Sequence, residues 1–254
     1  MTPSLSTQNL TIRFGGHAAV NDVTTSFQPG ELTVIVGPNG AGKTTWFNLV
    51  SGQLTPTSGR IFKGETEITR LSPSARAKAG IGRAFQLTNL FPKLTVRENV
   101  RLVVQARAGK GPDVFRRASA LAAVNAETEE HLATSRLTSV ADLPASALPH
   151  GDQRKLEVAM MIAMKPDIFM FDEPTAGMSA AEAPAILDLI AEIRKDASKT
   201  ILLVEHKMDV VRKLADRIIV LHNGELVADG KPDEVMAMGI VREIYLGQGA
   251  EEVA

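Results

Sequence analysis

Short, continuously apolar runs separated by helical patterns organise most of this chain. The apolar runs lie at 33–36, 168–171, 201–204 and 218–221. Runs of this length and composition are typical of strands that are buried on both faces. Helical patterns lie between them, for example at 181–195 and 207–215. This alternation predicts an α/β fold with a mainly parallel sheet covered by helices.

Two parts of the chain depart from that pattern. Alternating residues at 10–14, and again around 60–69, predict a small N-terminal antiparallel β section. The segment 94–149 contains no run typical of a buried strand and is helical in pattern at 96–108 and 115–137. We therefore expect a core domain formed by 1–93 and 150–254, interrupted by an inserted α-helical subdomain at 94–149.

Composition narrows the possible functions. The 254 residues include 28 basic and 29 acidic side chains, a balance that argues against binding nucleic acid through bulk positive charge. The absence of cysteine excludes disulfides, thiolate catalysis and cysteine-based zinc sites. The longest apolar run, 158–164, is far shorter than the roughly 18 residues of a membrane span. Since residues 1–10 do not resemble a secretory signal, we expect a cytosolic protein that reaches a membrane only through a partner.

A glycine-rich segment carries the strongest chemical signal. GPNGAGKTT at 37–45 matches the pattern G-x-x-x-x-G-K-[ST], with a predicted strand before it and a helix-forming stretch after it. In such loops, glycines let backbone N–H groups surround a phosphate chain, and the helix N-terminus adds a positive dipole end. Lys43 would reach the β- and γ-phosphates, and Thr44 would hold Mg²⁺. The alternative, a glycine-rich turn with a surface lysine, is disfavoured by the flanking strand and helix.

Two acidic residues, Asp172 and Glu173, follow the apolar run 168–171. By themselves they are equally well explained by a strand that ends at the surface. A buried carboxylate is costly unless it is paired or faces a cation, so a phosphate loop upstream favours a ligand role. We expect Asp172 to bind Mg²⁺ directly or through water, and Glu173 to polarise the water that attacks the γ-phosphate.

Four further features are weak individually and gain meaning from their order. Phe14 lies 29 residues before Lys43, and Gln86 lies between the phosphate loop and the helical segment. LPHGDQ at 148–153 precedes a helix with an apolar stripe, and His206 ends a predicted strand. Each has an ordinary explanation: a half-buried strand residue, a surface polar side chain, a capped helix start or a structural histidine.

Taken in this order, the motifs resemble those of the ATP-binding subunit of ABC transporters, and the resemblance covers essentially the whole chain. The segments 37–45 and 169–173 are similar to the Walker A and Walker B motifs, 148–153 to the ABC signature and 176–179 to the D-loop. Gln86 resembles the Q-loop glutamine, His206 the switch histidine, and Phe14 the aromatic residue that stacks on adenine.

The resemblance implies a P-loop NTPase core that binds ATP and Mg²⁺. It implies catalytic roles for Lys43, Gln86, Glu173 and His206. It implies that the nucleotide contacts Phe14, Val20, Gly37, Pro38, Asn39, Gly40, Ala41, Gly42, Lys43, Thr44 and Thr45, and also Gly151 in the signature of the opposite subunit. It implies metal ligation by Thr44, Gln86 and Asp172.

The resemblance also implies partners. A second ATPase subunit, either a paralogue or another copy of this chain, would complete the composite ATP sites. Two integral membrane permease subunits and a periplasmic solute-binding protein would complete the transporter, and no nucleic acid is expected. The chain would then lie on the cytoplasmic face of the membrane, attached through the permeases.

Longer motifs indicate a subfamily. FGGHAAVN at 14–21, GRAFQ at 82–86, LTVRENV at 94–100 and the tail at 241–247 are similar to ATPases of branched-chain, hydrophobic amino acid importers. The ATPase of the lipopolysaccharide exporter shares a similar tail and is the nearest alternative. A non-transport ABC ATPase would usually carry a coiled-coil insertion or a second cassette, and neither is visible.

Two departures from the family pattern bear on assembly. Pro149 and His150 replace the usual serine and glycine of the signature, and Ser179 replaces the usual aspartate of the D-loop. Proline offers neither a hydroxyl nor an N–H group, so one contact to the nucleotide on the opposite subunit is lost. We therefore expect one weakened composite site and favour a paralogous partner with a fuller signature.

Overall fold

The computed structural model of the chain describes residues 2–84, 90–108 and 118–246. These residues form two compact units. Within the described residues, the first unit comprises 2–83, 167–173 and 194–246, and the second comprises the remainder.

The strands alternate with helices along the chain, as the apolar pattern predicts. In chain order the strands are β1 (Leu5–Phe14), β2 (His17–Phe27), β3 (Leu32–Val36), β4 (Ser58–Lys63), β5 (Thr66–Glu67), β6 (Ile81–Ala84), β7 (Ile168–Asp172), β8 (Thr200–Val204), β9 (Arg217–His222) and β10 (Glu225–Gly230). The helices are α1 (Lys43–Ser51), α2 (Pro73–Lys78), α3 (Val96–Arg107), α4 (Ala118–Thr134), α5 (His150–Ala163), α6 (Ala183–Arg194), α7 (Met208–Leu214), α8 (Pro232–Ala237) and α9 (Gly239–Leu246).

The first unit is built on two sheets of the described residues. The larger has the order β10-β9-β3-β8-β7-β6, and β3 pairs in parallel with both β8 and β9. Strand β7 is also parallel to β8, and every residue of β3, β7 and β8 is buried. The carboxyl ends of β3, β7 and β8 therefore meet at one edge of the sheet, where ligands of such folds bind.

The smaller sheet of the described residues has the order β2-β1-β4-β5 and is antiparallel throughout, as predicted for the N-terminal section. Its inward side chains join those of the larger sheet and of α1 in one apolar core, which includes Leu10, Val20, Trp46, Phe47 and Ile61. The core thus holds the segment after β3 in place.

The second unit contains α3, α4 and α5. A capping box starts α3: the Thr95 hydroxyl accepts a bond from the Glu98 N–H group, and the Glu98 carboxylate accepts one from the Thr95 N–H group. The unit extends beyond the predicted insertion 94–149, because Leu156, Ala159 and Ala163 of α5 pack in the same apolar cluster as α3 and α4. Among the described residues, no helix is long and apolar enough to span a membrane.

Candidate active site

The phosphate-loop motif connects β3 to α1, as predicted. Gly37 has a φ of +148° and is buried, and a Cβ atom placed on it would lie 2.1 Å from the Leu221 carbonyl oxygen. Gly40 and Gly42 have φ values of +79° and +98°, in the left-handed region that favours glycine. The backbone conformation therefore favours glycine at all three positions, and close packing also requires it at Gly37 and Gly42 but not at Gly40.

Lys43, the first residue of α1, folds back over this loop. Its Nζ donates to the carbonyl oxygens of Gly37 at 2.7 Å and Pro38 at 2.9 Å. Burial lowers the pKa of Lys43, while the nearby charges of Glu173 and Asp172 act in the opposite direction. The ammonium group thus lies inside the loop and near both predicted acids.

The N-terminus of α1 lacks a side-chain cap. Its N-cap residue is Gly42, which has no side chain that could accept a hydrogen bond from the first turn. Uncapped first-turn N–H groups, together with the helix dipole, are suited to binding an anion. Thr44 and Thr45 are half-buried in this turn, while Asn39 and Gly40 are exposed at the tip of the loop.

Asp172 ends β7 with a side chain that is fully buried. Its Oδ2 accepts a hydrogen bond from Arg83 Nη2 at 3.0 Å, whereas its Oδ1 has no hydrogen-bond partner among the described residues. Burial raises the pKa of Asp172, and the Arg83 guanidinium opposes that shift. An unpartnered buried carboxylate oxygen fits a hard cation such as Mg²⁺, which takes oxygen ligands.

Glu173 and His206 meet at the same edge of the sheet. Glu173 Oε1 lies 2.5 Å from His206 Nε2, and both side chains are partly open to solvent. The backbone of Glu173 has a φ of +49°, and its N–H group donates to the Val204 carbonyl oxygen at 3.0 Å. Such strained backbone in a residue other than glycine is concentrated at functional sites.

Phe14 and Val20 differ in exposure. Phe14 ends β1 with 52% of the residue exposed, which leaves a ring face available for stacking. Val20 lies on β2 with its side chain fully buried in the core, so it presents no side-chain surface to a nucleotide. Gln86 lies outside the described residues.

The signature segment lies in the second unit, and α5 begins inside it. Pro149 is the N-cap residue and supplies no side-chain cap, and His150 is exposed at the first helical position. Gly151 is buried, and a Cβ atom on it would lie 2.6 Å from Glu182 Oε1. Ser179 occupies the position where aspartate is usual. Its Oγ donates to Glu182 Oε2 at 2.7 Å and so closes a local turn.

Arg83 is the residue at this site that the sequence did not single out. Arg83 contributes to the sequence predictions only as part of the GRAFQ subfamily motif. The available signal was a basic residue within the short apolar stretch 81–85, since charged residues are almost never fully buried unless paired. The order of the strands, which places β6 beside β7, is needed to identify its partner.

Comparison with known proteins agrees with this geometry. A sequence profile of the family described as "ABC transporter" matches residues 20–176. The chain belongs to the ABC transporter family. The family, the α/β P-loop fold and the ATPase class predicted from the sequence are therefore confirmed.

Two relatives of this chain are named as branched-chain amino acid transport ATP-binding proteins. One is the "High-affinity branched-chain amino acid transport ATP-binding protein LivG" of Escherichia coli K12, 39% identical over 97% of this chain and 98% of its own length. The other is the corresponding protein BraF of Pseudomonas aeruginosa PAO1, also 39% identical, with the same coverage of both chains. The resemblance to branched-chain importer ATPases is thereby confirmed.

Solved structures of ABC cassettes share the fold. A nucleotide-free ATP-binding cassette from an ABC transporter has a TM-score of 0.81 at 27% identity, over 96% of this chain and 99% of that chain. The dimeric cassette MJ0796, bound to ADP and Pi after hydrolysis, has a TM-score of 0.76 at 27% identity, over 89% of this chain and 98% of that chain.

Proposed function

We propose that this chain is the ATP-hydrolysing subunit of a transporter that imports branched-chain or other hydrophobic amino acids. The names of the LivG and BraF relatives support this solute class. The observation that carries the proposal is the meeting of Glu173 and His206 at 2.5 Å, at the sheet edge that also holds Lys43 and Asp172. A carboxylate beside an imidazole, next to a phosphate loop, is suited to activating water for phosphoryl transfer.

Each group has a distinct part in hydrolysis. Lys43 exchanges the carbonyl oxygens of Gly37 and Pro38 for phosphate oxygens, because a tetra-anionic ligand attracts the ammonium more strongly than two dipoles. Glu173 orients and polarises the attacking water. His206 holds the Glu173 carboxylate in place and contacts the γ-phosphate. The exposed face of Phe14 stacks on the adenine ring.

Mg²⁺ is the metal ion that these residues fit. Thr44, Asp172 and Gln86 would hold it, with the unpartnered Oδ1 of Asp172 as the supporting observation. When bound, Mg²⁺ neutralises charge that develops on the phosphate oxygens. This chain would supply oxygen ligands to the ion at a largely buried position beside the phosphate loop.

The functional assembly is a dimer of cassettes on a pair of permeases. The Gly151 N–H group and the N-terminus of α5 contact the nucleotide of the opposite subunit. Because Pro149 lacks the hydroxyl of the usual serine, we favour a paralogous ATPase as partner over a second copy of this chain. A periplasmic binding protein delivers the solute, and the chain sits on the cytoplasmic face of the membrane.

We also propose that the insertion 94–149 and the segment around Gln86 transmit closure of the dimer to the permeases. In this division, 1–93 and 150–254 form the nucleotide-binding core. The insertion carries α3 and α4, which the apolar cluster around Val100, Val104 and Leu132 holds together. The same cluster includes Leu156 and Ala159 of α5, so we propose that α5 moves together with the insertion.

Reconstituted transport tests the proposal. The chain is co-purified with its permeases and second ATPase, placed in proteoliposomes with the binding protein, and assayed for ATP-driven uptake of labelled leucine, isoleucine and valine. We expect uptake that Lys43→Ala abolishes and that Lys78→Ala, at an exposed position of α2, leaves intact. Active ATP hydrolysis without uptake of these amino acids contradicts the solute class, and uptake by Lys43→Ala contradicts the assigned site.

A further inference from the structure

Arg83 is a buried cation on β6, the last strand of the larger sheet. Its side chain is only 6% exposed, and Nη2 donates to Asp172 Oδ2 at 3.0 Å. A buried ion pair loses hydration on both sides, and its attraction compensates only when the geometry is good and further hydrogen bonds satisfy the groups. Both terminal nitrogens of Arg83 have hydrogen-bond partners, whereas its buried Nε has none among the described residues.

The guanidinium of Arg83 is fixed by α1. Nη1 donates to Asn48 Oδ1 at 2.6 Å and to Ser51 Oγ at 2.8 Å. These two residues are three positions apart and therefore lie on one face of the helix. The guanidinium carbon also lies 5.7 Å from the centre of the Phe47 ring. Arg83 thus joins the helix of the phosphate loop to the strand that ends in Asp172.

This link determines how Asp172 presents its two oxygens. The bond from Arg83 engages Oδ2 and restricts rotation of the carboxylate, while Oδ1 stays without a partner among the described residues. A planar, anchored donor orients a carboxylate better than a freely rotating ammonium does. Oδ1 is therefore the oxygen left for a ligand from outside the protein.

We propose that Arg83 is a positioning residue for the metal site. It orients Asp172 so that Oδ1 binds the Mg²⁺ ion directly or through water. It also fixes the position of this oxygen relative to α1, the helix of the phosphate loop. The proposal rests on the proposed function, in which Asp172 serves Mg²⁺. Groups that orient metal-binding carboxylates typically change metal affinity by about 10–100-fold when they are removed.

Manganese binding tests the proposal without relying on turnover. Free Mn²⁺ is measured by electron paramagnetic resonance during titration of the full chain with a saturating non-hydrolysable ATP analogue. Arg83→Gln should raise the Mn²⁺ dissociation constant by about 10–100-fold. Affinity for the analogue in EDTA should stay unchanged, because Arg83 is assigned no contact with the nucleotide. Arg60→Gln, an exposed arginine over the Phe62 ring, is the matched control and should behave like wild type.

Further variants keep every outcome decisive. Should Arg83→Gln fail to fold, Arg83→Lys retains the charge but not the planar fork, and a weakened Mn²⁺ affinity is still expected. If a folded Arg83 variant binds Mn²⁺ with wild-type affinity while Asp172→Asn binds it weakly, the positioning role of Arg83 is wrong and the proposed function stands. Wild-type Mn²⁺ affinity in Asp172→Asn removes the premise itself.

Discussion

Replacing Gly42 by alanine tests two requirements for glycine in the phosphate loop, one on backbone conformation and one on packing. The backbone of Gly42 has a φ of +98°, so alanine there adds strain. A Cβ atom would also lie 2.4 Å from the carbonyl oxygen of Ala19 and 3.3 Å from the Cα of Gly224. The substitution therefore combines an unfavourable backbone conformation with a steric overlap.

The magnitude follows from these two contributions. The left-handed conformation costs about 1–2 kcal/mol in a residue that carries a Cβ atom. Overpacking costs about 1–3 kcal/mol, so Gly42→Ala should lower the free energy of unfolding by about 2–5 kcal/mol. Reaching an ordinary contact of 3.4 Å from 2.4 Å requires a shift of about 1 Å. A misplacement of that size lowers catalytic rates by about a hundredfold.

Gly40→Ala is the matched control. Gly40 has a similar φ of +79°, but nothing lies within 4 Å of an added Cβ atom, so only the backbone strain applies. Urea unfolding can be followed through Trp46, the single tryptophan, which is buried in α1. Equal losses of stability in the two variants would refute the assigned overlap with Ala19.

Three further changes test other parts of the account. Phe14→Ala should weaken ATP and GTP binding by about 5–150-fold, the equivalent of about 1–3 kcal/mol of stacking; unchanged affinity means that another side chain packs on the base. Pro149→Ser should raise stability by about 0.5–2 kcal/mol as a helix N-cap and should also raise ATPase activity; higher stability alone contradicts a hydrolytic role for the missing hydroxyl. Bonds from Arg107 and then Lys165 hold the pKa of Glu127 at about 2, below its ordinary 4.5. The ionised Glu127 therefore adds to the free energy of unfolding above pH 4.5, and this contribution is lost as the pH falls towards 2. Glu127→Gln should flatten the dependence of the free energy of unfolding on acid pH, and an unchanged profile contradicts the stabilising role of the ionised Glu127.

The apolar pattern was sufficient to predict the buried strands. In β3, β7 and β8 every residue is buried, so each strand is a continuous apolar run that the sequence makes visible. The phosphate loop was equally visible, because its glycine spacing and the flanking strand and helix are local features. Such features need no knowledge of which segments are neighbours in space.

Interactions between distant segments could not be predicted in the same way. Arg83 and Asp172 are 89 positions apart, and their pairing depends on the order of β6 and β7 in the sheet. The close approach of Glu182 to Gly151 likewise depends on the folded path of the chain. The resemblance names Val20 as a nucleotide contact without stating whether its backbone or its side chain makes the contact, and burial of the side chain depends on the packing of the two sheets.

The most direct test of the central claim is the ATPase activity of the Glu173→Gln variant in the purified complex. Glutamine keeps the size of the side chain but removes the negative charge that polarises the attacking water. We expect hydrolysis to fall by at least about a hundredfold, while ATP binding persists and ATP-bound dimers accumulate. Near-normal turnover in this variant would contradict the account, because Glu173 could then not be the group that activates water.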